Sequence, residues 1–231
     1  MIITISVIIV AAGNSSRMNG VNKQLEKIGD TPVFVMSALK FERSKRVGEI
    51  IIAAPADEVS RYEKLARNFG VTKLSAVVAG GDTRANSVRN ALNTVSPKAD
   101  YIAIHDGARP LIETEEIERV FVDAEKYNAA IAAVPAVDTV KFISCDGFVD
   151  GSSPLRESFY YAQTPQVFKK ELYLSCLKKL GREVDQVTDD SSILERCGVR
   201  VGITVINCCN MKITHPDDLI IASMIYSKKK R

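Results

Sequence analysis

Apolar and polar positions along this chain alternate between two textures. Short unbroken apolar runs recur at 5–10 (ISVIIV), 49–54 (EIIIAA), 74–78 (LSAVV), 101–105 (YIAIH) and 130–134 (AIAAV). Runs of that length without strict alternation predict strands covered on both faces. Between them, apolar residues return every three or four positions. Val33, Met36, Leu39 and Phe41 form one helical stripe, with Pro32 expected at the first helical position and Thr31 as its cap. Val59, Tyr62, Leu65, Ala66 and Phe69 form a second over 57–69, closed by Gly70. Thr114, ahead of Glu115 and Glu116, is expected to cap a third. Residues 169–180 and 189–197 read as helices, the latter ended by Gly198, and Pro216 with Asp217 and Asp218 opens the last. Residues 139–143 and 199–205 read as further strands. Strands alternating with helices predict an α/β fold, a mostly parallel sheet in a three-layer arrangement.

From 145 to 159 the texture changes to Gly147, Gly151, Ser152, Ser153 and Pro154, which predicts a hairpin or arm leaving the main body. There is no internal repeat and no low-complexity linker. A length of 231 residues suits a single domain over 1–231 with an arm at about 135–159. The net charge of +3 gives no electrostatic reason to expect a nucleic-acid partner. The final KKKR reads as a solvated helix end. Residues 1–12 are apolar but too short to span a membrane and lack a basic leader, so a cytoplasmic chain without a membrane partner is expected. The five cysteines contain no C-x-x-C pair and are expected to be free thiols. Two histidines, His105 and His215, are too few for a zinc site, and His105 reads as structural.

Candidate chemistry gathers where strands end. The first apolar run passes into Ala11-Ala12-Gly13, then a polar loop with Arg17 and Lys23. Gly13 can take φ > 0 and let N–H groups converge on an anion, so the layout suits a phosphate site. It is not a P-loop, because Lys23 is followed by Gln24 and lacks a preceding glycine. It is not a dinucleotide fingerprint, because the second and third glycines are missing. An ordinary strand–helix turn with solvated cations is the competing reading. Gly80-Gly81, after the third run, would let backbone approach a base or ribose, or else form a tight turn with Arg84 solvated. Asp106, after the fourth, suits Mg²⁺, which takes one or two carboxylates with phosphates and water; it could equally cap a turn or pair with Arg109. Lys141, Arg156 and Lys212 could join Arg17, Lys23 and Arg109 on one rim, as two anionic reactants would require.

Together these residues resemble the 2-C-methyl-D-erythritol 4-phosphate cytidylyltransferases, a nucleotidyltransferase family with a Rossmann-like sheet. The resemblance rests on AAG with Arg17-Met18 and Lys23-Gln24, GGDTRANSV (80–88), HDGARP (105–110), DTVK (138–141), Arg156 with QTPQVF (163–168), TDD (188–190) and NMKITHPDDL (210–219). Ser15 and Asn22 stand where the family usually carries glycine and proline, and the Arg17–Lys23 interval is one residue short. The resemblance implies that CTP is held by Ala11, Ala12, Gly13, Gly80, Gly81, Asp82, Ser87 and Ala108. It implies that Arg17, Lys23 and Lys212 are catalytic and that Asp106 orients Mg²⁺. Arg109, Thr139, Lys141, Arg156 and Thr164 would join Asp106 in handling the methylerythritol phosphate. It further implies a homodimer in which the arm reaches across to the partner. A ribitol 5-phosphate cytidylyltransferase shares several of these motifs and is the alternative. A phosphate monoester has a second pKa of about 6, so the acceptor is largely a dianion at neutral pH and needs no general base.

Overall fold

The computed structural model describes residues 3–13, 18, 20–151 and 155–229. In chain order the elements are β1 (Ile5–Val10), β2 (Lys27–Ile28), β3 (Thr31–Pro32), α1 (Val33–Glu42), β4 (Val47–Ala54), α2 (Val59–Asn68), β5 (Leu74–Ala79) and α3 (Arg84–Leu92). They continue with β6 (Tyr101–Asp106), α4 (Thr114–Tyr127), β7 (Ala129–Pro135), β8 (Tyr160–Lys169), α5 (Lys170–Leu180), α6 (Ser191–Arg196), β9 (Gly202–Val205) and α7 (Pro216–Lys229). One seven-stranded sheet runs β5-β4-β1-β6-β8-β7-β9, and β2 and β3 form a separate two-stranded pair. Within the large sheet β4 and β6 flank β1 in parallel, β5 is parallel to β4, and β9 to β7. Only β8 is antiparallel to its neighbours, β6 and β7.

The three layers follow from strand geometry, because successive side chains point to opposite faces. Val7, Ile9, Ile50 and Ile52 cluster with Phe34 of α1, Tyr62 of α2 and Phe121 of α4. The intervening Ile8 and Ile51, with Ile102 and Ile104, cluster with Val88 of α3, Tyr173 of α5 and Leu194 of α6. Each such apolar side chain, fully buried, stabilises by about 1.5–3 kcal/mol. Two-sided burial therefore holds the sheet, and it is why the runs show no clean alternation. A third cluster, Ile28, Val33, Met36, Ala108, Leu111, Ile213 and Ala222, binds α7 and the segment before it to the rim beyond β6.

Several expectations need correction. Residues 139–143 are not a strand; in that region only Ile143 makes an isolated bridge, to Val149. The next strand is β8, whose buried Thr164 and Gln166 interrupt the apolar pattern before Val167 and Phe168. Pro32 sits just before α1 with ψ 145°, an extended value, and Thr31 makes no cap. Thr114 does not cap α4; its hydroxyl donates to the carbonyl of Lys40, near the end of α1, where carbonyls lack helical partners (3.1 Å). The late strand is shorter than expected, starting at Gly202. Gly70 and Gly198 do take the positive φ expected of helix terminators. Residues 136–159 connect β7 to β8, and their described part is mostly exposed. All five cysteines are free thiols, and among the described residues no helix is long and apolar enough to cross a membrane.

Candidate active site

Beyond the carboxyl ends of β1, β4, β5 and β6 lies a cavity of about 450 Å³, within the size range of small-molecule sites. Ten predicted site residues line it: Ala12, Gly13, Lys23, Gly80, Gly81, Asp82, Ser87, Asp106, Ala108 and Lys212. They come from positions 12 to 212 and meet because parallel strands deliver their ends to one edge of the sheet. Ala11 is buried behind this wall. Arg17 lies outside the described residues.

The two glycines are required for close approach rather than for unusual φ. A Cβ on Gly80 would stand 2.2 Å from the Cβ of Ala12, and one on Gly81 would stand 2.5 Å from that of Asn86. Gly13 does not use a positive φ, and among the described residues nothing stands within 4 Å of where its side chain would be. The turn after β5 is braced by α3. Thr83 caps that helix, accepting from the Asn86 N–H at 3.0 Å. The Ser87 hydroxyl donates to the Thr83 carbonyl (3.0 Å) and accepts from the Gly81 N–H (3.1 Å). Ser87 thus fixes the glycine turn with its side chain.

Asp106, the last residue of β6, is the electrostatic centre. Lys212 Nζ donates to its Oδ2 at 2.8 Å, Arg84 Nε donates to its Oδ1 at 3.2 Å, and Arg109 Nε lies 3.6 Å from Oδ2. Burial alone would raise the carboxyl pKa, but Arg84, Lys212 and Arg109 outweigh it and hold the group far below the usual carboxylate range. Lys212 is aimed by its neighbour: Ile213 is fully buried and its N–H donates to the Ala108 carbonyl at 2.8 Å.

Arg84, which one sequence reading left solvated, is instead held between two carboxylates. Its Nη1 donates to Asp190 Oδ2 at 2.5 Å, and Tyr173 OH donates to the other Asp190 oxygen at 2.7 Å. Burial lowers the Arg84 pKa, but Asp190 and Asp106 outweigh this and raise it. Arg84, Tyr173 and Asp190 were not identified as site residues. The position of Arg84 directly after Gly-Gly-Asp-Thr and the paired aspartates of TDD were the available signals.

Beneath Asp106 runs a buried polar chain. The Asp106 N–H donates to Thr164 Oγ1 (3.0 Å), Thr164 Oγ1 meets His105 Nδ1 (3.0 Å), and His105 Nε2 meets the Arg109 carbonyl (3.2 Å). The fixed donor at one end and fixed acceptor at the other orient the chain: the threonine hydroxyl donates to Nδ1, and a neutral imidazole donates from Nε2. Burial pushes the His105 pKa down to about 4, in keeping with its structural reading. Thr164 is 4% exposed and sits under the cavity floor. Arg109 Nη1 donates to the Asn210 carbonyl at 2.8 Å, tying β6 to the Lys212 segment. Thr139, Lys141 and Arg156 are exposed, lie on the β7–β8 connection and do not line the cavity. Arg156 Nη1 donates to the Val137 carbonyl at 3.2 Å.

Among the described residues no cluster of three His, Cys, Asp or Glu side chains could hold a metal. The lining offers Asp106 at the centre with Asp57 and Asp82 on the wall, and one or two such carboxylates, with phosphates and water, are the ligands a Mg²⁺ ion takes.

A family model described as 2-C-methyl-D-erythritol 4-phosphate cytidylyltransferase matches residues 5–228. A protein of that name from Syntrophus aciditrophicus (strain SB) is 37% identical over 225 residues, 96% of each chain. Another from Alkaliphilus oremlandii (strain OhILAs) is 39% identical, covering 97% of this chain and 96% of its own. The crystal structure of 4-diphosphocytidyl-2C-methyl-D-erythritol synthase from Anaerococcus prevotii DSM 20548 superposes with a TM-score of 0.85 at 29% identity, over 97% of this chain and 96% of that one. With Lys23, Arg84 and Lys212 sharing a cavity with Asp106 at the predicted strand ends and a family match along almost its whole length, the chain belongs to the 2-C-methyl-D-erythritol 4-phosphate cytidylyltransferase family.

Proposed function

We propose that the chain transfers CMP from CTP to 2-C-methyl-D-erythritol 4-phosphate, forming 4-diphosphocytidyl-2-C-methyl-D-erythritol and releasing pyrophosphate, in the supply of isoprenoid precursors. The observation that carries this is that Lys23 lines the same cavity as the Lys212–Asp106 pair, in a chain with this family match. The obstacle in the reaction is charge, since one phosphate must attack another. Lys23 and Lys212, with Arg17, stabilise the negative charge that builds in the in-line transition state. No residue needs to remove a proton, because the acceptor phosphate is already ionised. The neutral, buried His105 is consistent with that.

The glycine turn at Gly80-Gly81 and the β1 end at Ala12-Gly13, backed by the buried Ala11, serve the nucleotide beside Asp82, Ser87 and Ala108. Asp106 would hold Mg²⁺, which supplies neutralisation of phosphate charge. Arg109 serves the acceptor from the Asp106 side. Thr139, Lys141 and Arg156 serve it in a homodimer, from the β7–β8 connection of one protomer to the site of the other. The exposed apolar side chains of that connection, Val137, Phe142, Phe148 and Leu155, support such an interface. The enzyme works in the cytoplasm on these small molecules.

Purified protein with CTP and Mg²⁺ is assayed for pyrophosphate release against methylerythritol phosphate and ribitol 5-phosphate. Release with the former is expected; release with ribitol 5-phosphate alone would overturn the assignment.

A further inference from the structure

We propose that Asp190 is a positioning residue for cytidyl transfer, holding one arm of the Arg84 guanidinium so that Oδ2 of Asp106 stays available to Lys212. An arginine fork binds a single carboxylate best through two parallel N–H···O bonds. Arg84 does not do this. It gives Nε to Asp106 (3.2 Å) and Nη1 to Asp190 (2.5 Å), dividing itself between two acids. Lys212 occupies the Asp106 oxygen that a closed fork would take, at 2.8 Å. The division is enforced from behind the site. Asp190 is 2% exposed and its second oxygen accepts from Tyr173 OH at 2.7 Å. Its flanking backbone is pinned: Ser191 N–H donates to Gln166 Oε1 (3.0 Å), and Asp189 accepts from Ser192 N–H (3.1 Å) and Gln166 Nε2 (2.7 Å). Asp190 does not line the cavity, so it acts through Arg84 and Asp106 on the position of the Lys212 ammonium. With Nη1 held by Asp190 the guanidinium cannot turn; without that charge it turns until Nη2, the partner of Nε in a side-on fork, reaches Oδ2 of Asp106 and displaces Lys212.

This inference rests on the cavity being the site of CMP transfer. The test is steady-state kinetics of Asp190→Asn and Tyr173→Phe, each alone and combined with Lys212→Ala, with thermal melting to establish folding. Asp190→Asn is expected to lower kcat about tenfold or more while changing the KM for CTP by less than about threefold, and Tyr173→Phe to lower kcat about threefold. In the Lys212→Ala background either change is expected to cost less than about twofold, because its target is gone. A folded Asp190→Asn enzyme with wild-type kcat would overturn the proposal, as would an undiminished loss in the Lys212→Ala background. If Asp190→Asn does not fold, Tyr173→Phe carries the same two comparisons, because it removes only one hydroxyl. Wild-type protein that forms no product would instead remove the assigned activity, a result separate from these.

Discussion

At the scale of single residues, position and environment divide the charged groups into those that face the cavity and those that brace them. Lys212 lines the cavity with a side chain 39% exposed, against 10% for its partner Asp106. It therefore faces the cavity while held on that carboxylate. Losing one such aimed cation removes on the order of 3 kcal/mol of transition-state stabilisation. Lys212→Ala and Lys23→Ala are expected to cut turnover about a hundredfold or more with little change in CTP affinity, measured by kcat and by equilibrium nucleotide binding. Arg17→Ala is expected to behave alike. His105 does different work. Its folded pKa of about 4 lies below the ordinary 6.5. Above pH 6.5 it is neutral whether folded or unfolded. Between those values the unfolded chain takes up a proton that the folded one refuses, so stability falls as pH falls from 6.5 towards 4. The loss reaches about 3 kcal/mol at the acid end. Melting curves across that window should show a steeper decline for the wild type than for His105→Gln, which cannot titrate; equal slopes would exonerate the histidine.

At the scale of elements, the turn between β5 and α3 shows how a strand end becomes a binding surface. Gly80 packs on Ala12 so closely that an added methyl would overlap it at 2.2 Å. Neither side can easily yield, since Ala12 follows the buried β1 and Gly80 is tied by its N–H to the Ala54 carbonyl at 2.8 Å. Gly80→Ala is expected to cost about 1–3 kcal/mol of stability, the usual range for overpacking. It is also expected to raise the KM for CTP several-fold more than it lowers kcat. Denaturant titration and nucleotide-dependent kinetics would check both. Strand β8 contributes in the opposite way, through polar groups. Thr164 couples it to the end of β6, and Thr164→Val leaves the Asp106 N–H and His105 Nδ1 without partners. A cost of about 1–3 kcal/mol per buried orphan is expected, largely recovered in Thr164→Ser.

At the scale of the whole molecule, five of the residues expected to grip the acceptor do not line the cavity: Arg109 and Thr164 pack beside and beneath it, and the other three lie elsewhere in the chain. Thr139, Lys141 and Arg156 stand on the β7–β8 connection, which also carries Val137 at 76% and Leu155 at 78% exposure. A monomer would leave these apolar side chains in water. We expect sedimentation to give a dimer, and Val137→Asp with Phe148→Asp to shift it to monomer. The monomer is expected to lose affinity for methylerythritol phosphate by about tenfold or more, since a residue contacting a charged ligand contributes about 1.5–3 kcal/mol, while its affinity for CTP holds. A dissociated variant with unchanged acceptor KM would show that the connection does not serve a neighbouring site.

Where apolar burial sets the pattern, the sequence alone was sufficient. It determined the parallel core strands, the helices between them and the strand ends where Gly80, Gly81 and Asp106 gather, because two-sided burial leaves runs that no loop would carry. Only the tertiary structure decided β8, since Thr164 and Gln166 are buried by hydrogen bonding rather than by hydrophobicity. It likewise decided that Arg84 spans Asp106 and Asp190. Those partners are 22 and 106 residues away, and an ion pair between distant positions leaves no periodic trace in the chain. Charge and apolar content are properties of residues, but the matching of donor to acceptor is a property of the packed molecule.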